Sequence, residues 1–101
     1  MAEQRINSYE LIYIIQPDLD EDQITQVDGR VQQAVEANQG VVSSTEVWGQ
    51  RKLAYPIRKH FEGYYILHKV DLPAQAVAEV ERVMRLNESI LRFLVVRADE
   101  S

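Results

Sequence analysis

The apolar positions of this chain follow two different spacings, which divide it into six segments. Four segments are rich in β-branched and aromatic residues, as is typical of strands: residues 9–15, 41–55, 61–72 and 90–98. Two segments between them repeat apolar residues every three or four positions, as amphipathic helices do. They cover roughly 20–38 and the stretch that follows Pro73. The predicted order is strand, helix, strand, strand, helix, strand.

Local signals support these boundaries. Asp20 and Gln23 have the spacing of a helical capping box, and Gly40 lies just beyond the predicted end of the first helix. Pro73 suits the start of the second helix, because its missing N–H is not needed there. A turn near 56–60 separates the second and third strands.

This order of elements predicts one α+β domain over residues 1–101, with an ordered core of about 7–98. The expected fold is the ferredoxin-like split βαβ sandwich, a four-stranded antiparallel sheet with both helices on one face. Right-handed crossovers place the first and third strands in the middle of the sheet. The second strand is then an edge strand.

Alternation along the strands assigns their side chains to the two faces of the sheet. Leu11, Tyr13 and Ile15, with His68 on the third strand, are predicted to face the helices. The opposite face then carries an apolar set, namely Ile12, Ile14, Tyr65, Leu67, Leu94 and Val96. Such a face implies a covering partner or a register error of one residue. The fold argument favours the partner.

Charge is distributed unevenly along the chain. The net charge is −5, yet residues 47–61 hold four cations and no acid, so the remainder carries 7 cations and 16 anions, a charge of −9. Arg92 and Arg97 lie in a second acid-free stretch. The overall charge argues against a general nucleic-acid binder, while the local charge allows oriented binding to RNA.

The remaining composition excludes several classes of function. The absence of cysteine excludes disulfides and thiolate metal sites. No stretch approaches the length of a membrane span, and the first ten residues have no signal-peptide core, so we expect a cytoplasmic protein without membrane contact. Neither His60 nor His68 has a carboxylate at catalytic or metal-ligand spacing. No zinc, phosphate-loop or nucleophile pattern occurs, and we expect no enzyme, cofactor or small-molecule substrate.

Two known uses of this fold make demands that can be compared with this sequence. Acylphosphatases need a glycine-bearing anion loop after the first strand, whereas this chain has the acidic "QPDLDED" there. RNA-recognition motifs stack bases on aromatic residues of the first and third strands. Here Glu62 stands where a cation is wanted, and Tyr65 is the one aromatic residue predicted on the face away from the helices. The match to the motif is loose, and an RNA-recognition-motif-like RNA binder is kept as an alternative.

Four stretches together resemble the bacterial small-subunit ribosomal protein S6 family: "YELIYIIQPDLDEDQ", "WGQRKLAYPIRK", "GYYILHKVDLP" and "ILRFLVVRADE". They occur in the family's order, and the match as a whole extends over essentially all of residues 7–98. The segment "GQRKLAYPI" looks like the family signature. The resemblance implies a structural, ribosome-bound protein that binds the central domain of small-subunit rRNA cooperatively, as a heterodimer with small-subunit ribosomal protein S18.

The resemblance also implies which residues meet RNA and partner. The RNA candidates are Arg58, Lys59, Arg92, Arg97, Arg51 and Lys52. The partner candidates are Ile12, Ile14, Tyr65, Leu67, Leu94, Arg51 and Lys52.

The central basic stretch divides into two pairs in this interpretation. Arg58 and Lys59, in the turn, are the simpler phosphate contacts. Arg51 and Lys52, on the edge strand, block aggregation of that edge and also contact the partner. An alternative from a different functional class is a self-associating interaction module, in which the helix-free sheet faces of two copies pair to form a homodimer.

Overall fold

A computed structural model describes residues 5–98 of the chain. Its strands are β1 (Ile6–Ile15), β2 (Val41–Ile57), β3 (His60–Pro73) and β4 (Ile90–Arg97), and its helices are α1 (Glu21–Ala37) and α2 (Val77–Leu86). The strands form one antiparallel sheet in the order β2-β3-β1-β4. The ferredoxin-like α+β fold is thus confirmed, with β1 and β3 central and β2 at an edge. Residues 1–4 and 99–101 of the predicted domain lie outside the described residues.

Helix α1 begins at the predicted capping box. The Asp20 carboxylate accepts a hydrogen bond from the Gln23 amide at 2.8 Å, and the Gln23 side chain accepts one from the Asp20 amide at 3.0 Å. At the other end, Gln39 and not Gly40 adopts the left-handed conformation, with φ of 67°. Gly40 serves close packing instead, because an added Cβ would lie 2.7 Å from Leu72 Cδ1.

The entry to α2 differs from the prediction. Pro73 is the last residue of β3, and a 3₁₀ turn over Ala74–Ala76 separates it from α2, which starts at Val77. Pro73 thus has extended backbone, with ψ of 138°, and stands before the turn. Its fixed φ suits either place, so local sequence did not distinguish them.

One hydrophobic core lies between the sheet and the helices. Leu11, Tyr13 and Ile15 of β1 are fully buried, and they pack with Val31 and Val35 of α1. The core also contains Ile66, Val70, Val80, Met84 and Ile90, while Phe93 and Val95 pack at its border. The predicted helix-facing parity is therefore confirmed, and the opposite face of the sheet carries no helix in the described part of the chain.

Candidate functional site

The face of the sheet away from the helices is the apolar surface that the strand pattern predicted. Ile12 of β1 lies between Leu67 of β3 and Leu94 of β4, and Ile14 lies between Tyr65 and Arg92. Leu94 is 56% exposed, whereas Leu67 is 6% exposed. Leu67 therefore supports its neighbours and offers little surface to a partner, while Leu94 offers most of its side chain. We call this surface the open face.

Gly63 allows the open face to pack at the end near the hairpin. A Cβ at this position would lie 2.2 Å from Ile14 Cγ2 and 3.5 Å from Leu53 Cδ2. Such a distance is far below van der Waals contact, so Ile14 occupies the space that a larger residue would need. The close approach brings Leu53 of β2 toward β1 and β3.

Trp48 joins the open face, although strand alternation did not assign it there. Its ring stacks on Tyr65 with centroids 6.1 Å apart and an angle of 14°. The Arg51 guanidinium lies 5.8 Å from the Trp48 ring centroid. The pairing of β2 with β3 shifts between Val47 and Gly49, so the period of two is broken there. Glycine inside a strand pattern is a signal of such a bulge.

The turn between β2 and β3 is built from Arg58 and Lys59, with φ of 49° and 69°. Two successive positive φ values are typical of a two-residue hairpin turn. The tip reaches β4: Arg58 Nη1 donates to the Glu88 carbonyl oxygen at 3.0 Å, and the Arg92 guanidinium donates to the Tyr55 hydroxyl. The predicted turn is confirmed, and it is tied to the opposite edge of the sheet.

The six candidate cations occupy separate places. Arg58 and Arg92 line one hollow at the start of β4, while Lys52 and Lys59 line another, of about 510 Å³, with Phe61. Arg51 lies on Trp48, and Arg97 Nη2 donates to Asn7 Oδ1 at 3.0 Å. The structure therefore separates Arg51 from Lys52 and Arg58 from Lys59, which the sequence interpretation had paired. Arg51 and Lys52 are neighbours in a strand, where successive side chains project to opposite sides.

A buried polar cluster connects β3 to α1. His68 is fully buried, and its Nε2 lies 2.6 Å from Asp28 Oδ1. The Tyr13 hydroxyl donates to the same oxygen at 2.5 Å, and Thr45 Oγ1 lies 2.8 Å from His68 Nδ1. With the proton on Nε2, His68 donates to Asp28 and accepts from Thr45, which satisfies both ring nitrogens. Sequence distance had concealed the carboxylate partner of His68.

The charges of this cluster are shifted by their surroundings. Burial acts to raise the pKa of Asp28, but hydrogen bonds from His68, Tyr13 and Gln32 outweigh it and lower that pKa. Burial, followed by the hydrogen bond to Asp28 and its negative charge, raises the pKa of Tyr13. Tyr13 therefore remains a protonated donor. Because Tyr13 and His68 have no exposed surface, a substrate cannot reach them, and the cluster serves to hold α1 on the sheet.

Residues 5–98 contain no group of three or more His, Asp or Glu side chains placed to hold a metal ion. Within the same range, no helix is long and apolar enough to cross a membrane. The notable surfaces are instead the open face and the cations around it. The fold places the chain in the ferredoxin-like α+β class.

Comparisons with known proteins identify the family. The model of the ribosomal protein S6 family matches residues 8–97, and the chain belongs to this family. It is 44% identical over 92 residues to small ribosomal subunit protein bS6 of Acidobacterium capsulatum, with 91% of this chain and 65% of that protein covered. It is 37% identical over 95 residues to bS6 of Caldanaerobacter subterraneus, with 94% and 100% covered.

A solved structure is similar throughout. The crystal structure of 30S ribosomal protein S6 from Thermotoga maritima has a TM-score of 0.88 and 29% identity, with 93% of this chain and 89% of that one covered. The chain spans about 61–68% of the length of several curated bS6 relatives. Membership in the family confirms the resemblance read from the sequence. It also agrees with the expectation that the protein is not an enzyme.

Proposed function

We propose that this chain is a structural component of the small ribosomal subunit, bound to the ribosome in the cytoplasm. In this role it binds the central domain of small-subunit rRNA together with ribosomal protein S18. Membership in the S6 family supports the general role. The observation that carries the specific proposal is the apolar open face, which has cations at its border and no helix covering it within residues 5–98.

The partner covers the open face in this proposal. Leu94 and Val96, two residues apart on the same face of β4, are 56% and 40% exposed. Trp48, on β2 at the other edge of the sheet, is 38% exposed. Contiguous apolar surface of this kind is typical of protein interfaces. Burial against S18 would remove it from water.

RNA binding then depends on the partner. The chain carries a net charge of −5, so repulsion from phosphates opposes binding by the chain alone. Docking of the partner fixes one orientation in which the local cations face the RNA. Coupling between two binding events of this kind is typically about 1–3 kcal/mol, or roughly 5–150-fold in affinity.

The test is a binding titration with an rRNA central-domain fragment, performed with and without S18. We expect weak binding by the chain alone and binding that is roughly 5–150-fold tighter with the partner. Tight, specific binding by the chain alone at physiological salt would refute the cooperative design. If the chain binds no RNA either with or without S18, the RNA assignment is refuted.

Two leucines provide a matched pair of variants for the partner surface. Leu94→Glu places a charge on the open face, whereas Leu86→Glu changes a 65% exposed leucine at the end of α2 in the helix layer. We expect Leu94→Glu to weaken S18 binding by about 1–2 kcal/mol, or roughly 5–30-fold, and Leu86→Glu to leave it unchanged. Equal effects of the two variants would refute the assignment of the open face.

The alternative of self-association is supported by the same apolar face. Sedimentation at micromolar concentration separates the two, because a stable homodimer would favour self-association. The RNA-recognition-motif-like alternative has less support. Tyr13 of β1 is fully buried, and Tyr65 of β3 is stacked under Trp48, so the central strands lack a platform of uncovered rings.

A further inference from the structure

The start of β4 brings three arginines from distant parts of the chain around one hollow. Arg58 comes from the hairpin turn, Arg85 from the last turn of α2, and Arg92 from β4. The hollow has a volume of about 220 Å³, and the apolar residues Met84, Ile90 and Phe93 also line it. We propose that these three guanidinium groups form a binding site for one phosphate of the RNA backbone. The proposal rests on the proposed function and names Arg85 as a member that the sequence pattern did not single out.

Each guanidinium is positioned by a group that carries no negative charge. Arg58 donates to the Glu88 carbonyl oxygen at 3.0 Å. The Cζ atom of Arg85 lies 5.8 Å from the ring centroid of Phe93. Stacking on an aromatic ring and bonding to a carbonyl restrict a guanidinium without cancelling its charge.

Arg92 is held in the same manner. Its Cζ lies 5.7 Å from the Tyr55 ring centroid, and its guanidinium donates to the Tyr55 hydroxyl. Tyr55 and Arg58 belong to the same hairpin, so the hairpin tip sets the positions of two of the three arginines. Side chains that are already ordered lose less entropy when a ligand binds.

The three arginines differ from their neighbour Arg82 in their charge balance. Arg82 Nη2 lies 2.8 Å from Glu79 Oε2, so its charge is paired. Among residues 5–98, Arg58, Arg85 and Arg92 form no ion pair with a carboxylate. Three positive charges that line one hollow without a carboxylate partner favour an anion there. Each guanidinium also has more N–H donors than these contacts use.

The geometry favours backbone phosphate over a base or an enclosed small molecule. All three arginines are exposed, so the hollow is open enough for a continuous chain to pass. One face of the Phe93 ring and one face of the Tyr55 ring lie against guanidinium groups, which compete with a base for stacking there. Guanidinium groups match phosphate oxygens in geometry. The contact therefore fixes the position of the RNA without reading its sequence.

The experiment compares Arg85→Gln with Arg82→Gln in the complex of full chain, S18 and rRNA fragment. Both variants remove one exposed positive charge from α2. We measure the dependence of the observed binding constant on salt concentration. Loss of one phosphate contact should reduce the slope of log K against log salt by about 0.7–0.9 for Arg85→Gln. Arg82→Gln should keep the slope of the unchanged protein.

The outcomes separate this proposal from the function on which it rests. RNA binding by the unchanged protein, with equal slopes for both variants, would overturn the phosphate site and leave the proposed function intact. Absence of RNA binding by the unchanged protein would overturn both. A titration with inorganic phosphate tests the source of the ligand. If Arg85→Gln loses phosphate binding but keeps the full RNA slope, the site binds small anions and the RNA assignment is wrong.

Discussion

The Nε2 atom of His68 on β3 lies 2.6 Å from Oδ1 of Asp28 on α1, and this contact joins the centre of the sheet to the helix layer. His68 is fully buried, and the Asp28 side chain is 22% exposed. Tyr13 and Thr45 complete the hydrogen bonds around the imidazole. The polar groups are satisfied together, so the loss of one leaves others without a partner.

Replacing His68 with leucine tests this cluster. His68→Leu fills the same place in the core with an apolar side chain, but it removes the hydrogen-bond partner of Asp28 and Thr45. We expect the free energy of unfolding to fall by about 1–3 kcal/mol, as for buried polar groups left unpaired. Urea denaturation measures the change. His60→Leu, at the first residue of the same strand, is the control and should change stability by less than about 0.5 kcal/mol.

Acid should weaken the folded state through Asp28. Its pKa is lower in the folded chain than its ordinary value of about 3.9, so the unfolded chain binds the proton more tightly. The stability that Asp28 contributes is complete above its unfolded pKa and is lost as the pH falls through its folded pKa. Urea denaturation from pH 7 to pH 2 should give a flatter profile for Asp28→Asn than for the unchanged protein. Glu36→Gln, an exposed change on α1, should keep the unchanged profile; a parallel profile for Asp28→Asn would contradict the role of this carboxylate.

Gly63→Ala tests the packing of the open face. The added Cβ would meet Ile14 Cγ2 at 2.2 Å, so the β-branched Ile14 must move. We expect a loss of about 1–3 kcal/mol in thermal or urea denaturation. Gly29→Ala is the control, because an added Cβ there meets nothing within 4 Å and helix propensity should stabilise the protein by up to about 1 kcal/mol.

The double variant Gly63→Ala with Ile14→Ala sharpens this test. Ile14→Ala removes the methyl group that the new Cβ would strike. The two losses should therefore sum to more than the measured loss of the double variant. Strict additivity would mean that the clash with Ile14 is not the cause.

Glycine should stabilise the end of α1 when placed at Gln39. This residue has φ of 67°, a conformation that is unfavourable for side chains with a Cβ. We expect Gln39→Gly to raise the free energy of unfolding by roughly 0.5–1 kcal/mol. Gln33→Gly, on the exposed side of the α1 interior, should have the opposite sign and cost about 1 kcal/mol. The same sign for both variants would contradict this account.

Removing charge from the edge strand should promote self-association. Arg51 and Lys52 lie on the edge strand β2, which also exposes Val41 and Val47. Charged side chains on an edge discourage pairing with another chain. Sedimentation of the variant Arg51→Val with Lys52→Val should show oligomers at concentrations where Arg30→Val, a helix variant, remains monomeric. A monomeric edge variant would remove this role from the pair.

The sequence alone determined the fold and the family. Alternating and helical spacings depend on local backbone geometry, so they are visible in the order of residues. The burial of Leu11, Tyr13 and Ile15 followed from this alternation, as did the exposure of Leu94. The signature "GQRKLAYPI" indicated the family without any coordinates.

The tertiary structure decided which distant side chains meet. The bulge beside Gly49 turned Trp48 onto Tyr65, and hydrogen bonds between the hairpin and the start of β4 brought Arg58 to the hollow that Arg92 lines. Asp28 and His68 are 40 residues apart, and their contact depends on how α1 packs across β3. Such contacts depend on the register, twist and packing of whole elements, which local spacing does not encode. The sequence therefore predicted the two faces of the sheet, and only the packed structure located the arginine site and the buried polar cluster.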